Sequence, residues 1–129
     1  MTEFKNLLVW EKAHALALHV HRVSKEIRRS LDAHLRSQMV RAASSIPANI
    51  AEGRRHHSQK EFARFLRIAV SSAWELEYHI ILARDLELIS DDESAALLRE
   101  TVEVRRMLSG LLKKIGFPYK TVTLPRKAV

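Results

Sequence analysis

Apolar residues recur at intervals of three and four along four long segments of this chain, and no other feature constrains the fold as strongly. This spacing places side chains on one face of an α-helix, whereas a half-buried strand needs strict alternation. The composition agrees, because the 129 residues include only three glycines and three prolines, fewer than the many turns of a barrel or sandwich require. The sequence therefore predicts an all-α chain.

Short-range capping signals set the predicted ends of the helices. Ser58 precedes Glu61 by three positions, and Ser90 precedes Glu93 in the same way. At that spacing a serine hydroxyl accepts a backbone N–H of the first helical turn. The predicted helices cover about residues 8–29, a second segment capped by Ser30 or Asp32 and ending near Gly53, then residues 58–87, and residues 90–115 with Gly116 as the C-terminal cap.

The connections between these helices contain only a few residues, which favours an antiparallel up-down-up-down four-helix bundle. Pro47 lies inside the second segment, where we expect a kink rather than a break, because the apolar spacing continues through it. The bundle domain is predicted over residues 1–116. Residues 117–129 contain two prolines and no helical period, so they are predicted to form an extended or disordered tail.

The formal charge of +7 is unevenly distributed along the chain. Residues 28–67 carry nine basic and three acidic groups, residues 68–104 carry two and nine, and residues 105–129 carry seven and none. This segregation favours either a basic face for polyanions such as nucleic acid or complementary faces for self-association. Ordinary solvated helix faces would give the same pattern.

Five basic residues at the start of the third helix are the candidate phosphate-binding set. Lys60, Arg64 and Arg67 are spaced four and three and therefore project from one face, and Arg54 and Arg55 lie just before that helix. Arginine binds phosphate with two parallel hydrogen bonds. Phe62 and Phe65 lie between these residues but belong to the predicted core stripe of the helix. No aromatic side chain is therefore expected to be available for base stacking, and the prediction rests on charge alone.

The third helix also has a second apolar face beside its core stripe. Val70, Trp74, Tyr78 and Ile81 lie four, four and three apart on it. Tryptophan and tyrosine are favoured anchors of protein interfaces. This face predicts a homo-oligomer, the alternative being a wide bundle core.

No catalytic, metal or cofactor site is predicted. The chain has no cysteine, and it lacks the glycine-rich, nucleophile-elbow and metalloprotease motifs. Seven histidines are scattered, and Glu11 with His14 is the only Glu-x-x-His pair, without the second copy that a bundle metal site needs. With no apolar run long enough to span a membrane and no signal-peptide pattern, the sequence predicts a cytoplasmic protein without enzyme activity.

Several motifs resemble one known family. They are Leu8-Val9-Trp10 followed by Ala13, the stretch from Gln38 to Gly53 (QMVRAASSIPANIAEG), Ser58 with Lys60-Glu61-Phe62, Phe65-Leu66-Arg67-Ile68-Ala69, and Ser72 with Glu75-Leu76-Glu77. Over roughly residues 4–89 the chain resembles the four-helix bundle family of proteins encoded in intervening sequences of bacterial 23S rRNA genes, which is similar to the accessory variability protein of diversity-generating retroelements. The family pattern has Gly where this chain has Ser71.

The resemblance implies a homopentameric barrel of short antiparallel bundles, without known catalysis and with a basic surface suited to RNA or DNA. The retroelement relatives use that surface to engage a reverse transcriptase and its RNA. The leading hypothesis is therefore an oligomer that binds nucleic acid or a nucleic-acid enzyme. The alternative is a structural or adaptor oligomer that acts only through protein contacts.

Four polar residues in and near the family motif are interpreted as a structural network. Arg41 is expected to pair with Glu75 on a neighbouring helix. Asn49 and Glu52 flank the apolar seam and are expected to satisfy backbone groups freed by Pro47 or to link to a neighbouring helix. Such a network would fix the register of the bundle rather than bind a ligand.

Overall fold

The computed structural model describes residues 3–119, and within that range the chain forms four α-helices and no strand. The predicted all-α class is confirmed. Two 3-10 turns, at Phe4–Asn6 and Ser30–Asp32, precede the first and second helices. The α-helices are α1 (Leu8–Ser24), α2 (Ala33–Arg54), α3 (Gln59–Asp85) and α4 (Asp91–Lys114).

Each helix packs against the next one along the chain, and α1 also contacts α4. Contacts between α2 and α3 follow a simple register. Arg41 meets Glu75, Ser45 meets Ser72, and Gly53 meets Phe65, so the partner number falls as the α2 number rises. All four helices contribute side chains to one continuous apolar core, whose largest fully buried members include Leu16, Met39, Ile46, Leu66, Leu76, Leu97, Leu108 and Leu112.

The first helix is shorter than its apolar spacing predicts. It ends at Ser24 rather than near residue 29, and the Ile27 N–H donates to the Ser24 carbonyl in a tight turn. Ile27 is nevertheless buried, and the Arg36 side chain donates to its carbonyl. A buried position needs an apolar residue whether it lies in a turn or in a helix. The apolar spacing therefore could not show that the helix ends before Ile27, and the predicted end of the first helix was wrong.

The start of α2 lies where the sequence predicts, but its cap differs. Asp32 occupies the N-cap position without a side-chain bond to the helix. Its carboxylate instead accepts from Arg29 Nε at 2.7 Å. The same bond raises the pKa of Arg29. The expected capping role of Asp32 is therefore replaced by a local ion pair.

Helix α2 continues through Pro47, which is buried. The expectation of one helix rather than two is confirmed. The helix ends at Arg54, one residue after Gly53, so the predicted end near Gly53 is confirmed. The glycine also serves packing, since a Cβ at Gly53 would lie 2.7 Å from Phe65 Cβ on α3.

Both predicted serine caps are present. Ser58 Oγ accepts from the Glu61 N–H at 3.3 Å, and Ser90 Oγ accepts from the Glu93 N–H at 3.1 Å. The predicted Gly116 cap is also present, with φ of 90°, a conformation that glycine adopts without a steric penalty. These local signals fix the starts of α3 and α4 and the end of α4.

The end of α3 places a non-glycine residue in the left-handed region. Glu87 has φ of 59°, and the Leu88 N–H donates to the Ala83 carbonyl at 2.9 Å in a helix-ending turn. Because that conformation is strained for a residue with a Cβ, Glu87→Gly should stabilise the fold by about 0.5–1 kcal/mol. Thermal unfolding followed by circular dichroism measures the change. Glu87→Ala keeps the strain, so an equal gain in that control would contradict the explanation.

A pair of carboxylates links the segment after α1 to the start of α4. A hydrogen bond with the Glu93 carboxyl, together with slight desolvation of the exposed Glu26 side chain, raises the pKa of Glu26 above its ordinary 4.5. A carboxyl group whose pKa is higher in the folded than in the unfolded state stabilises the fold at low pH. This contribution is lost as the pH rises through the folded-state pKa. Glu26→Gln should therefore stabilise the fold at pH 7 by a few tenths of a kcal/mol. Unfolding at pH 4 and pH 7 tests this, and a gain of equal size at both pH values would contradict it.

The segment after α4 begins by packing back onto the bundle. Phe117 and Tyr119 are half-buried against the core, and the Phe117 N–H donates to the Leu112 carbonyl at 2.9 Å. These residues are not helical, and the fold holds them against the bundle. The rest of the predicted tail, residues 120–129, lies outside the described residues.

Candidate nucleic-acid interface

The corner between α2 and α3 carries the residues that the charge pattern singled out. Helix α2 ends at Arg54, four residues follow, and α3 begins at Gln59. The close approach of Gly53 to Phe65 holds the two helices together at this point. We call the five predicted basic residues here the basic corner, which consists of Arg54, Arg55, Lys60, Arg64 and Arg67.

Two phenylalanines support the guanidinium groups of this corner. The Arg54 Cζ lies 5.1 Å from the centre of the Phe62 ring, and the Arg64 Cζ lies 4.4 Å from that of Phe65. The His56 ring also stacks on Phe65, with centres 5.2 Å apart. Arginine over an aromatic face is attracted by the ring quadrupole and loses rotamer freedom in advance of binding. The sequence assigned both phenylalanines to the core stripe and missed this role.

Neighbouring carboxylates contact two of the five basic side chains. Arg55 Nε lies 3.0 Å from Glu52 and Arg64 Nε lies 3.1 Å from Glu61. All four side chains are more than two-fifths exposed, and such surface pairs contribute little free energy. A phosphate can therefore compete for these arginines. Within residues 3–119, Lys60 and Arg67 are exposed and form no ion pair.

The C-terminal turn of α4 lies beside Arg67. Arg67 and residues 116–119 line one cavity, and Lys113 and Lys114 are exposed in the last turn of α4. These lysines were not part of the predicted phosphate-binding set. The fold places them near the basic corner, so the positive surface extends from the α2–α3 corner toward the end of α4.

The predicted oligomer face is only partly on the surface. Trp74 and Tyr78 are 42% and 59% exposed and Ile81 is half-buried, but Val70 is fully buried in the core. Each four-residue step in a helix turns about 40° beyond a full turn. Val70 therefore falls on the core side of this face and Tyr78 on its outer side. The assignment of Val70 to an interface is wrong.

The largely covered side chain of Arg105 on α4 packs against the exposed part of this face. Its guanidinium carbon lies 3.7 Å from the centre of the Trp74 ring, and Nη2 lies 3.6 Å from Glu77 Oε1. Tryptophan, tyrosine and arginine are the residue types that contribute most to binding at protein interfaces. The patch formed by Trp74, Tyr78, Ile81 and Arg105 is called the tryptophan patch below.

A largely apolar depression on the outer side of α4 was not predicted. It has a volume of about 790 Å³. Its lining combines apolar and charged side chains, namely Ala95, Leu98, Val102, Met107, Arg99, Glu103 and Arg106. Leu98 and Met107 also pack against the core from the edges of this face.

Most residues of the predicted polar network make contacts within the fold. Arg41 Nη2 lies 3.5 Å from Glu75 Oε1, as expected. Asn49 Nδ2 donates to the Ser45 carbonyl at 2.8 Å and to Ser45 Oγ at 3.0 Å, and Ser45 Oγ is 2.8 Å from Ser72 Oγ on α3. Asn49 thus joins α2 to α3 through two serines. Glu52, by contrast, pairs only with Arg55 among the described contacts and reaches no neighbouring helix.

The Glu11 and His14 pair does not form part of a larger ligand cluster. The His14 ring stacks on Trp10 with centres 5.0 Å apart. Within residues 3–119 no group of three or more His, Cys, Asp or Glu side chains is placed to hold a metal ion. Over the same residues, no helix combines the length and the apolar character needed to cross a membrane.

Comparison with known proteins identifies the family. Residues 5–110 match the model of the 23S rRNA-intervening sequence protein family. The chain belongs to that family. The match includes α1, α2 and α3 and most of α4, so the resemblance expected from the residue motifs extends into the last helix.

A solved structure supports the family assignment. A crystal structure of a protein of unknown function from the S23 ribosomal protein family of Bacteroides thetaiotaomicron is similar to this chain, with a TM-score of 0.77 and 25% identity. The similarity covers 82% of this chain and 99% of that one. No curated protein matches the sequence.

Proposed function

We propose that this chain is a non-enzymatic, cytoplasmic helical-bundle protein that binds nucleic-acid phosphates through the basic corner and works as a homo-oligomer. The observation that carries the proposal is the support of Arg54 and Arg64 by the Phe62 and Phe65 rings. Guanidinium groups held in advance lose less entropy when they bind a phosphate. Lys60 and Arg67, which are exposed and form no ion pair with any described residue, extend the same surface.

The proposed direct partner is RNA or DNA. A nucleic-acid enzyme such as a reverse transcriptase is a further proposed partner. Fluorescence anisotropy with a structured RNA and a matched DNA duplex tests whether the protein binds nucleic acid. Binding through phosphates releases counterions, so we expect affinity to fall about 10³-fold or more between 50 and 200 mM salt if six or more phosphates are contacted. Absence of binding at 50 mM salt would contradict the proposal and favour the adaptor alternative.

The proposed subunit is an antiparallel up-down-up-down bundle, and the opposite numbering of contacts along α2 and α3 supports it. The proposed assembly is a homopentamer, the form that the family resemblance implies. The tryptophan patch is the proposed contact between subunits, because an exposed Trp and Tyr with a stacked Arg have the composition of an interface centre.

Removing the two exposed aromatic anchors should dissociate the oligomer. We expect the double variant Trp74→Ser/Tyr78→Ser to elute as a single chain of 14.8 kDa, whereas the unaltered protein has about five times that mass. Light scattering coupled to size exclusion measures both. Leu18→Ser/Leu31→Ser removes two other exposed apolar side chains and should leave the assembly intact. Equal effects of the two double variants would contradict the patch as the interface.

A further inference from the structure

A cavity beside the basic corner has a lining suited to a nucleobase. It has a volume of about 610 Å³ and is formed by Arg67 together with Gly116, Phe117, Pro118 and Tyr119. Small-molecule sites in proteins commonly have volumes of about 300–1,000 Å³. No acidic side chain is among the lining residues.

The fold holds this cavity in place. The left-handed Gly116 turns the chain sharply after α4, and the Phe117 N–H donates to the Leu112 carbonyl. Phe117 and Tyr119 are then half-buried against the core. The aromatic rings are therefore held by the bundle, which lowers the entropy cost of stacking a base on them.

The cavity adjoins the phosphate-binding surface. Arg67 lies three residues after Arg64, about 4.5 Å farther along the axis of α3, and it lines the cavity. A strand whose phosphates contact the basic corner therefore passes close to the cavity. Arg67 is exposed and forms no ion pair within residues 3–119.

We propose that this cavity receives an unpaired base of a single-stranded segment whose phosphates contact the basic corner. The proposal rests on the proposed function. Bases inside a duplex are stacked and paired, so their faces are not available, whereas a base in a loop or a free strand can stack on an aromatic ring. Tyr119 supplies the ring and Arg67 supplies the nearby positive charge. The protein would thus distinguish single-stranded segments from duplexes by base contact.

The test compares Tyr119→Leu with the unaltered full chain. The probes are a fluorescein-labelled 16-nucleotide RNA, the same RNA annealed to its complement, and a single strand containing 2-aminopurine. Loss of one stacked base should weaken single-strand binding about tenfold, leave duplex binding within twofold, and abolish the quenching of 2-aminopurine. Tyr119→Phe keeps the ring and should behave like the unaltered protein.

The outcomes separate the two proposals. Equal weakening of both RNA forms by Tyr119→Leu, or unchanged single-strand binding, would overturn the base site while phosphate binding stands. Loss of single-strand binding in Tyr119→Phe would also overturn it, because the stacking ring is still present. Failure of the unaltered protein to bind either RNA at 50 mM salt would overturn the proposed function itself.

Discussion

Gly53→Ala should lower the free energy of unfolding by about 1–2 kcal/mol, because the clash outweighs the better helix propensity of alanine. A methyl group at Gly53 would meet Phe65 Cβ at 2.7 Å and Phe62 Cδ1 at 3.1 Å. Because Phe65 Cβ is attached directly to the backbone, no rotamer change relieves the closer contact, and α2 and α3 must separate. Overpacking of this kind costs about 1–3 kcal/mol. Chemical denaturation followed by circular dichroism measures the loss.

Gly110→Ala is a matched control for this substitution. Gly110 also lies inside a helix, but a Cβ there would have no atom within 4 Å. Alanine is a better helix former than glycine, so we expect Gly110→Ala to stabilise the chain by about 0.5–1 kcal/mol. If both substitutions changed stability in the same direction, close helix contact at Gly53 would not explain why glycine is needed there.

Reversing two charges of the basic corner should weaken nucleic-acid binding about a hundredfold at moderate salt. Arg64→Glu/Arg67→Glu removes two phosphate contacts and places two carboxylates against the polyanion. Both side chains are exposed, and Arg64 contributes to the fold a surface ion pair with Glu61 and a contact with the Phe65 ring. The variant should therefore remain folded, with thermal unfolding close to that of the unaltered chain. Fluorescence anisotropy with a structured RNA measures the affinity.

The control for net charge is Arg22→Glu/Lys25→Glu. These residues are exposed near the end of α1, and the two double variants change the formal charge by the same amount. If phosphates contact the basic corner, the control should lose much less affinity. Similar losses in both variants would mean that overall charge, rather than this corner, drives binding.

Features encoded by short-range spacing were predictable from the sequence. The Ser58 and Ser90 caps, the Gly116 turn and the all-α class depend on residues within a few positions of one another, and all are present. The contact between Arg41 and Glu75 was also predictable. Its charges are opposite, and the register of two adjacent helices limits the choice of partners.

Features that depend on the distance between helices were not predictable. The sequence placed Gly53 only near the end of the second helix, and the position of Phe65 shows that the glycine is needed for close packing. Val70 and Phe65 lie at the edges of apolar stripes on α3. A small rotation of this helix about its axis decides whether side chains at such positions are buried. The sequence placed Val70 outside the core and gave Phe65 no contact with the arginines, and both assignments failed for that reason.

The dependence of binding on salt is the most direct test of the basic corner. The slope of log affinity against log salt reports how many phosphates are neutralised. For Arg64→Gln/Arg67→Gln, which removes two charges without adding repulsion, we predict a slope that is smaller by about 2 than that of the unaltered protein on the same RNA. An unchanged slope would mean that neither arginine contacts a phosphate and would contradict the proposed function of this surface.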